Sequence, residues 1–133
     1  MAAVVVDASA IVEIFVGRAP DPELRRTALV DDLAAPELID IEILAALRRL
    51  ERLGRLRPEQ AARAAERIAD APIARATHRP LVHRVWQRRP SITASDAAYV
   101  ALAEQLQVPL ITCDAKLAGS NGHDARIVAY PLS

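Results

Sequence analysis

Residues 93–114 read TASDAAYVALAEQLQVPLITCD, and the way this stretch divides decides the fold. Residues 95–106 have helical character, with Thr93 or Ser95 as the N-cap. Residues 108–113 follow as a buried, strand-like apolar run that ends at Asp114. The helix covers about 16 Å at 1.5 Å per residue, and the strand returns about 20 Å at 3.3 Å per residue. Descending the helix and rising along the strand brings Asp114 back level with Asp96. Two acids then meet at the carboxyl end of a strand, the edge where open α/β sheets gather their functional groups.

The N-terminus repeats this pattern. Residues 4–6 lie in a continuous apolar run, which suits a strand buried on both faces of a parallel sheet, and Asp7 closes it. Residues 8–15 read as a helix, 18–22 as a proline-containing loop, 22–30 as a second short helix and 32–35 as a strand ahead of Pro36. A strongly helical pattern over 37–53 stops at Gly54. Another helix spans 58–70, with Pro58 at its first position. Residues 72–77 and 126–130 read as strands and 80–88 as a helix. This alternation predicts an α/β fold, a three-layer α/β/α sandwich around a small, mostly parallel sheet of about five strands. No repeat or linker divides the chain, so residues 1–133 read as one domain.

Two acids on the 37–53 helix compete for a place at that edge. At about 100° per residue, Ile39, Ile43, Ala46, Leu47, Leu50 and Leu53 form the buried stripe. Glu42 flanks one side of it and Asp40 the other, and periodicity does not choose between them.

Composition narrows the function classes. Of the 133 residues 52% are hydrophobic and 26% charged, a globular balance that excludes disorder; aromatics are 3%, so the core is aliphatic. The net charge is zero, so no overall basic field attracts nucleic acid. Lys116 is the sole lysine. The arginine bias suits phosphate contacts, but the coding bias of a GC-rich genome explains it with more weight. The opening MAAVVVDASAIVEIF lacks a basic leader and is interrupted by Asp7 and Glu13, which fits neither a signal peptide nor a membrane span. A single cysteine, Cys113, excludes an intrachain disulfide and a multi-cysteine zinc site. A cytoplasmic protein is expected. His78, His83 and His123 lack metal-ligand spacing, Cys113 lacks an activating base, and Trp86 and Tyr99 read as packing residues. Arg48, Arg49, Arg52 and Arg55 read as a solvated helix face, as do Arg84, Arg88 and Arg89.

With these residues in place, the sequence resembles the PIN-domain family, and within it the VapC-type toxins of bacterial toxin–antitoxin pairs. The matching segments are VVVDASAIV with Asp7, APELIDIEILAALRRL with Glu42, TASDAAYVALAEQL with Asp96 and PLITCDAKL with Asp114. They occur in the family's order and span nearly the whole chain. The resemblance selects Glu42 over Asp40. It implies that the four acids are catalytic, bind Mg²⁺ or Mn²⁺ and hydrolyse RNA phosphodiester bonds. It also implies a homodimer silenced by a VapB-like antitoxin whose tail occupies the active-site groove. Lys116 stands where some relatives carry a further acid, so a fifth ligand is missing.

Electrostatics agrees with a cation. Two carboxylates about 5 Å apart repel by roughly 3 kcal/mol at an effective dielectric near 20. Four acids make up to six such pairs, a cost comparable to the stability of a domain. Either protons are shared or a divalent cation sits among them, and hard oxygen ligands suit Mg²⁺ or Mn²⁺. The expected ligands are Asp7, Asp96 and Asp114, with Glu42 holding a water; Ser9 and Thr112 are expected to orient these acids through hydrogen bonds. Three rival readings are weaker. A receiver-like signalling domain pairs two acids after its first strand, whereas Ala8 follows Asp7. A non-cleaving PIN-like module that binds RNA or protein does not need all four acids. A DNA nuclease of this fold is longer.

Overall fold

Strand β1 (Ala3–Val6) occupies the middle of a five-stranded, all-parallel sheet of order β3-β2-β1-β4-β5. The computed structural model describes residues 3–133, so the first two residues of the apolar N-terminal stretch lie outside it. Along the chain β1 is followed by α1 (Ala8–Val16), α2 (Pro22–Val30), β2 (Asp32–Pro36), α3 (Ile39–Arg52), α4 (Pro58–Ala69) and β3 (Ile73–Ala76). A 3₁₀ turn at Arg79–Leu81 leads to α5 (Val82–Gln87), α6 (Ala94–Leu106), β4 (Leu110–Thr112), α7 (Ala115–Ala118) and β5 (Ile127–Ala129).

The order of the strands dictates the layers. From β1 the chain steps outward to β2 and then β3, so right-handed crossovers put α1 to α4 on one face. It then returns across the sheet to β4 and β5, which puts α5, α6 and α7 on the other. Helix α6 accordingly packs on β1, β2 and β4, while α1 packs on β4 and α3. With both faces covered, Val4, Val5 and Val6 are all buried, as are Leu110, Ile111 and Thr112. The sequence-predicted sandwich is therefore the observed one.

The reversal of direction falls between β1 and β4, whose register pairs Val5 with Leu110 and Val6 with Ile111. Such a switch point leaves a crevice at the carboxyl ends of its two strands. Asp7 follows β1 there and Asp114 follows β4.

Helix α3 with Leu53, and the short α7, depart from the sequence reading. Helix α3 begins at Ile39, and Leu53 lies past its end, exposed rather than buried, because the chain turns away at Gly54 with positive φ. Of the core or interface packing expected of Trp86, its exposure on α5 leaves the interface alternative. The short α7, absent from the sequence reading, follows Asp114 directly. Among the described residues no helix is long and apolar enough to cross a membrane.

Candidate active site

Asp7 is the most constrained acid of the crevice. It caps α1, its carboxylate accepting the Ala10 N–H at 3.0 Å. The Ser9 hydroxyl donates to Oδ1 at 2.7 Å, and the buried Thr112 hydroxyl donates to Oδ2. Each hydroxyl has one proton and spends it on Asp7. Their lone pairs are used by the end of β4: the Cys113 N–H donates to Ser9 Oγ at 2.9 Å and the Asp114 N–H to Thr112 Oγ1 at 2.9 Å. Ser9 and Thr112 thus orient Asp7 and splice the ends of β1 and β4 together. Burial nevertheless holds the Asp7 carboxyl above its usual range; those hydrogen bonds oppose the rise, and the charge of Asp114 adds to it.

Asp96 lies in the first turn of α6, capped by Thr93, whose Oγ1 accepts the Asp96 N–H at 3.3 Å. Partial burial, together with the charges of Asp114 and Glu42, raises its proton affinity. Asp114 therefore acts on both Asp7 and Asp96, while Glu42 acts on Asp96. Asp114 also caps α7, accepting the Lys116 N–H at 2.9 Å. Lys116, anticipated only as a missing acid, contributes its backbone to that cap.

Asp40 and Glu42 are set apart by their partners, beginning with Arg75 on β3. Its guanidinium grips Asp40 through Nε and Nη2 at 2.9–3.1 Å and also donates to the carbonyls of Ile68, Ala71 and Ile73. Asp40 is thereby consumed in tying α3 to the end of α4 and to β3. Glu42 turns the other way, and its carboxylate accepts the hydroxyl of Tyr99 from α6. Sequence reasoning missed this second function of Tyr99. Its spacing of three from Asp96, which puts both on one helix face, was the signal available.

The chemistry of the donor set fits a hard divalent cation. All four groups are carboxylates, and burial, with mutual charge adding to it, raises the proton affinity of Asp7 and Asp96. The ion pairs among the described residues are Arg57–Glu59, Arg75–Asp40, His78–Glu37 and Arg84–Glu104, so none neutralises the four acids. The carboxylates of Asp7, Glu42 and Asp114 accept local hydrogen bonds, however, and among the described residues no three acidic, histidine or cysteine side chains are grouped tightly enough to hold an ion as they stand. Glu42, Asp96 and Asp114 are each partly exposed, so ions in solvent reach this edge.

Comparison with known proteins places this arrangement among others. A family model described as the PIN domain matches residues 4–119. The chain is 36% identical over 124 residues to Ribonuclease VapC12 of Mycobacterium tuberculosis, covering 93% of this chain and 96% of that protein. It is 38% identical over 120 residues to Ribonuclease VapC1 of the same organism, covering 89% and 90%. The fold also matches a chain of a toxin–antitoxin complex from Klebsiella pneumoniae with a TM-score of 0.66 at 17% identity, over 97% of this chain and 99% of that one.

Proposed function

The chain belongs to the PIN domain family, and from that premise we propose that it is a VapC-type endoribonuclease whose catalytic set is Asp7, Glu42, Asp96 and Asp114. What supports the site assignment is that Asp7 and Asp114 follow β1 and β4 at the switch-point edge, that Asp114 acts on Asp7 and Asp96 and Glu42 on Asp96, and that no ion pair among the described residues neutralises them. Asp7, Asp96 and Asp114 would hold Mg²⁺ or Mn²⁺. A divalent ion, when bound there, supplies charge neutralisation for phosphate oxygens and a more acidic water.

The protein's own groups set the frame for that chemistry. Asp7 is fixed by three donors, so its orientation costs nothing further when RNA arrives. Asp96, in the first turn of α6 and partly exposed, would offer its carboxylate to the ion from the other face of the sheet. Glu42, held from the α6 side, is placed to orient the attacking water. Substrate binding follows from short-range contacts at this edge, since the net charge of zero supplies no long-range attraction.

The partners belong to the same reading: an RNA substrate, a VapB-like antitoxin and a second copy of the chain. Supporting them is apolar surface that a partner would cover, Ile41 and Leu44 on α3 and Val82 and Trp86 on α5, all exposed. The decisive experiment maps RNA 5′ ends after brief induction of the wild type beside Asp7→Asn. New ends are expected only in the wild type. Equal cleavage by the purified variant, free of other nucleases, would remove Asp7 from the mechanism.

A further inference from the structure

We propose that Tyr99 is a positioning residue of the carboxylate site, its hydroxyl fixing the Glu42 side chain on the side of Asp96. This rests on the metal-dependent nuclease reading above. Tyr99 is 2% exposed and is among the largest side chains in an otherwise aliphatic core. Packing alone asks only for a ring, and phenylalanine supplies one without a polar atom to satisfy. A phenol buried there costs free energy unless its hydroxyl is bonded. The acceptor is Glu42, 57 positions away in sequence.

The location of that bond gives it a consequence beyond packing. Glu42 rides on α3, on one face of the sheet, and Tyr99 on α6, on the other. Their bond is a tie between the two helical layers. Glu42 is only partly buried, and among the described residues Tyr99 is the sole side chain that hydrogen-bonds its carboxylate. Released from it, a long acid on an exposed helix edge would sweep through solvent-facing rotamers. The phenol stays a donor throughout, because burial, the bond to Glu42 and the charges of Glu42, Asp7 and Asp96 all oppose its ionisation. Tyr99 therefore holds Glu42, while Asp40, two residues before it, is drawn off by Arg75. Opposite side-chain partners thus separate two neighbouring acids on one helix into a scaffold acid and a site acid.

The test uses the whole chain and two readouts, Mn²⁺ affinity by calorimetry and cleavage of a structured RNA under single-turnover conditions. Tyr99→Phe keeps the ring and removes the hydroxyl. Expected is a loss of about 10-fold in Mn²⁺ affinity and a similar fall in cleavage rate, with the RNA concentration dependence unchanged. Glu42→Asp, which keeps the charge but shortens the reach, is expected to show the same losses. In a Glu42→Gln background, Tyr99→Phe is expected to add nothing. Wild-type Mn²⁺ affinity and rate in Tyr99→Phe would overturn the proposal, as would losses that multiply in the double variant. Should Tyr99→Phe fold poorly, Glu42→Asp decides alone, and wild-type behaviour there overturns the proposal. Mn²⁺ affinity that survives Asp96→Asn would refute the metal site itself, and the role of Tyr99 with it, by a result independent of any Tyr99 variant.

Discussion

Asp96 carries the charges of Asp114 and Glu42 on top of partial burial, with only the Thr93 hydrogen bond in opposition. Its folded-state affinity for a proton is raised, so between the unfolded and folded values the native chain binds more protons, and stability falls as pH rises. Asp96→Asn removes that cost. Metal-free, the variant is expected to melt higher than the wild type by roughly 1–3 °C at pH 7, a modest gain because the group is partly solvated. The gain is expected to vanish below about pH 4, where an unfolded aspartate itself takes up a proton. Melting curves of both proteins across pH check the sign; a variant less stable at pH 7 would show that Asp96 is held by attraction rather than repulsion. Asp40 gives the complementary contrast. Asp40→Asn is expected to lose stability but retain cleavage, whereas Glu42→Gln is expected to lose cleavage, as rates measured on folded protein will show. These roles were only partly legible in the sequence. A helical wheel reads spacing, and both acids flank the same stripe; what separates them is Arg75 and Tyr99, whose nearness comes from tertiary packing across 35 and 57 positions.

Arg75 matters at the scale of elements because it joins three of them. One guanidinium satisfies carbonyls at the end of α4 and holds the first turn of α3 through Asp40. Arg75→Gln is expected to destabilise the fold by about 2–3 kcal/mol, since it leaves those acceptors and a carboxylate without their partner; urea unfolding measures it. Helix α1 ends with less tolerance still. A side chain at Gly17 would meet the Glu13 carbonyl oxygen at 2.4 Å and its carboxylate at 2.5 Å, while the Gly17 N–H donates to that same carbonyl at 2.8 Å. Gly17→Ala is expected to cost about 1–3 kcal/mol, through a backbone shift rather than a strained dihedral. The elements themselves were the most legible part of the sequence. Apolar runs such as residues 4–6 are local signals and lie where expected, and of the two caps the sequence offered for α6, Thr93 and Ser95, it is Thr93 that serves. Helix α7 escaped because one turn carries no periodicity, and Leu53 was misread because a wheel does not know that the helix has already ended.

For the whole molecule, the acidic edge is a local liability that a cation would offset. Free Mn²⁺ at about a hundred times its dissociation constant adds roughly 2.7 kcal/mol to stability, on the order of 10 °C for a chain of this size. That shift is expected in the wild type and absent from Asp96→Asn; a rise of equal size in both would place the ion elsewhere. The sheet order itself was not legible from the chain, since a run of valines specifies burial but not neighbours. Parallel pairing across the switch point has a further consequence, in time rather than in space. The inner edge of β1 stays open until residues 110–112 arrive, more than a hundred positions later in synthesis. Contacts so distant in sequence form late and slowly. Asp7, near the start of the chain, acquires its Thr112 partner and Asp114 its place only when β4 docks. A growing polypeptide on the ribosome therefore carries three of the four acids without the site they make. Whatever this edge does waits on the docking of β4 against β1.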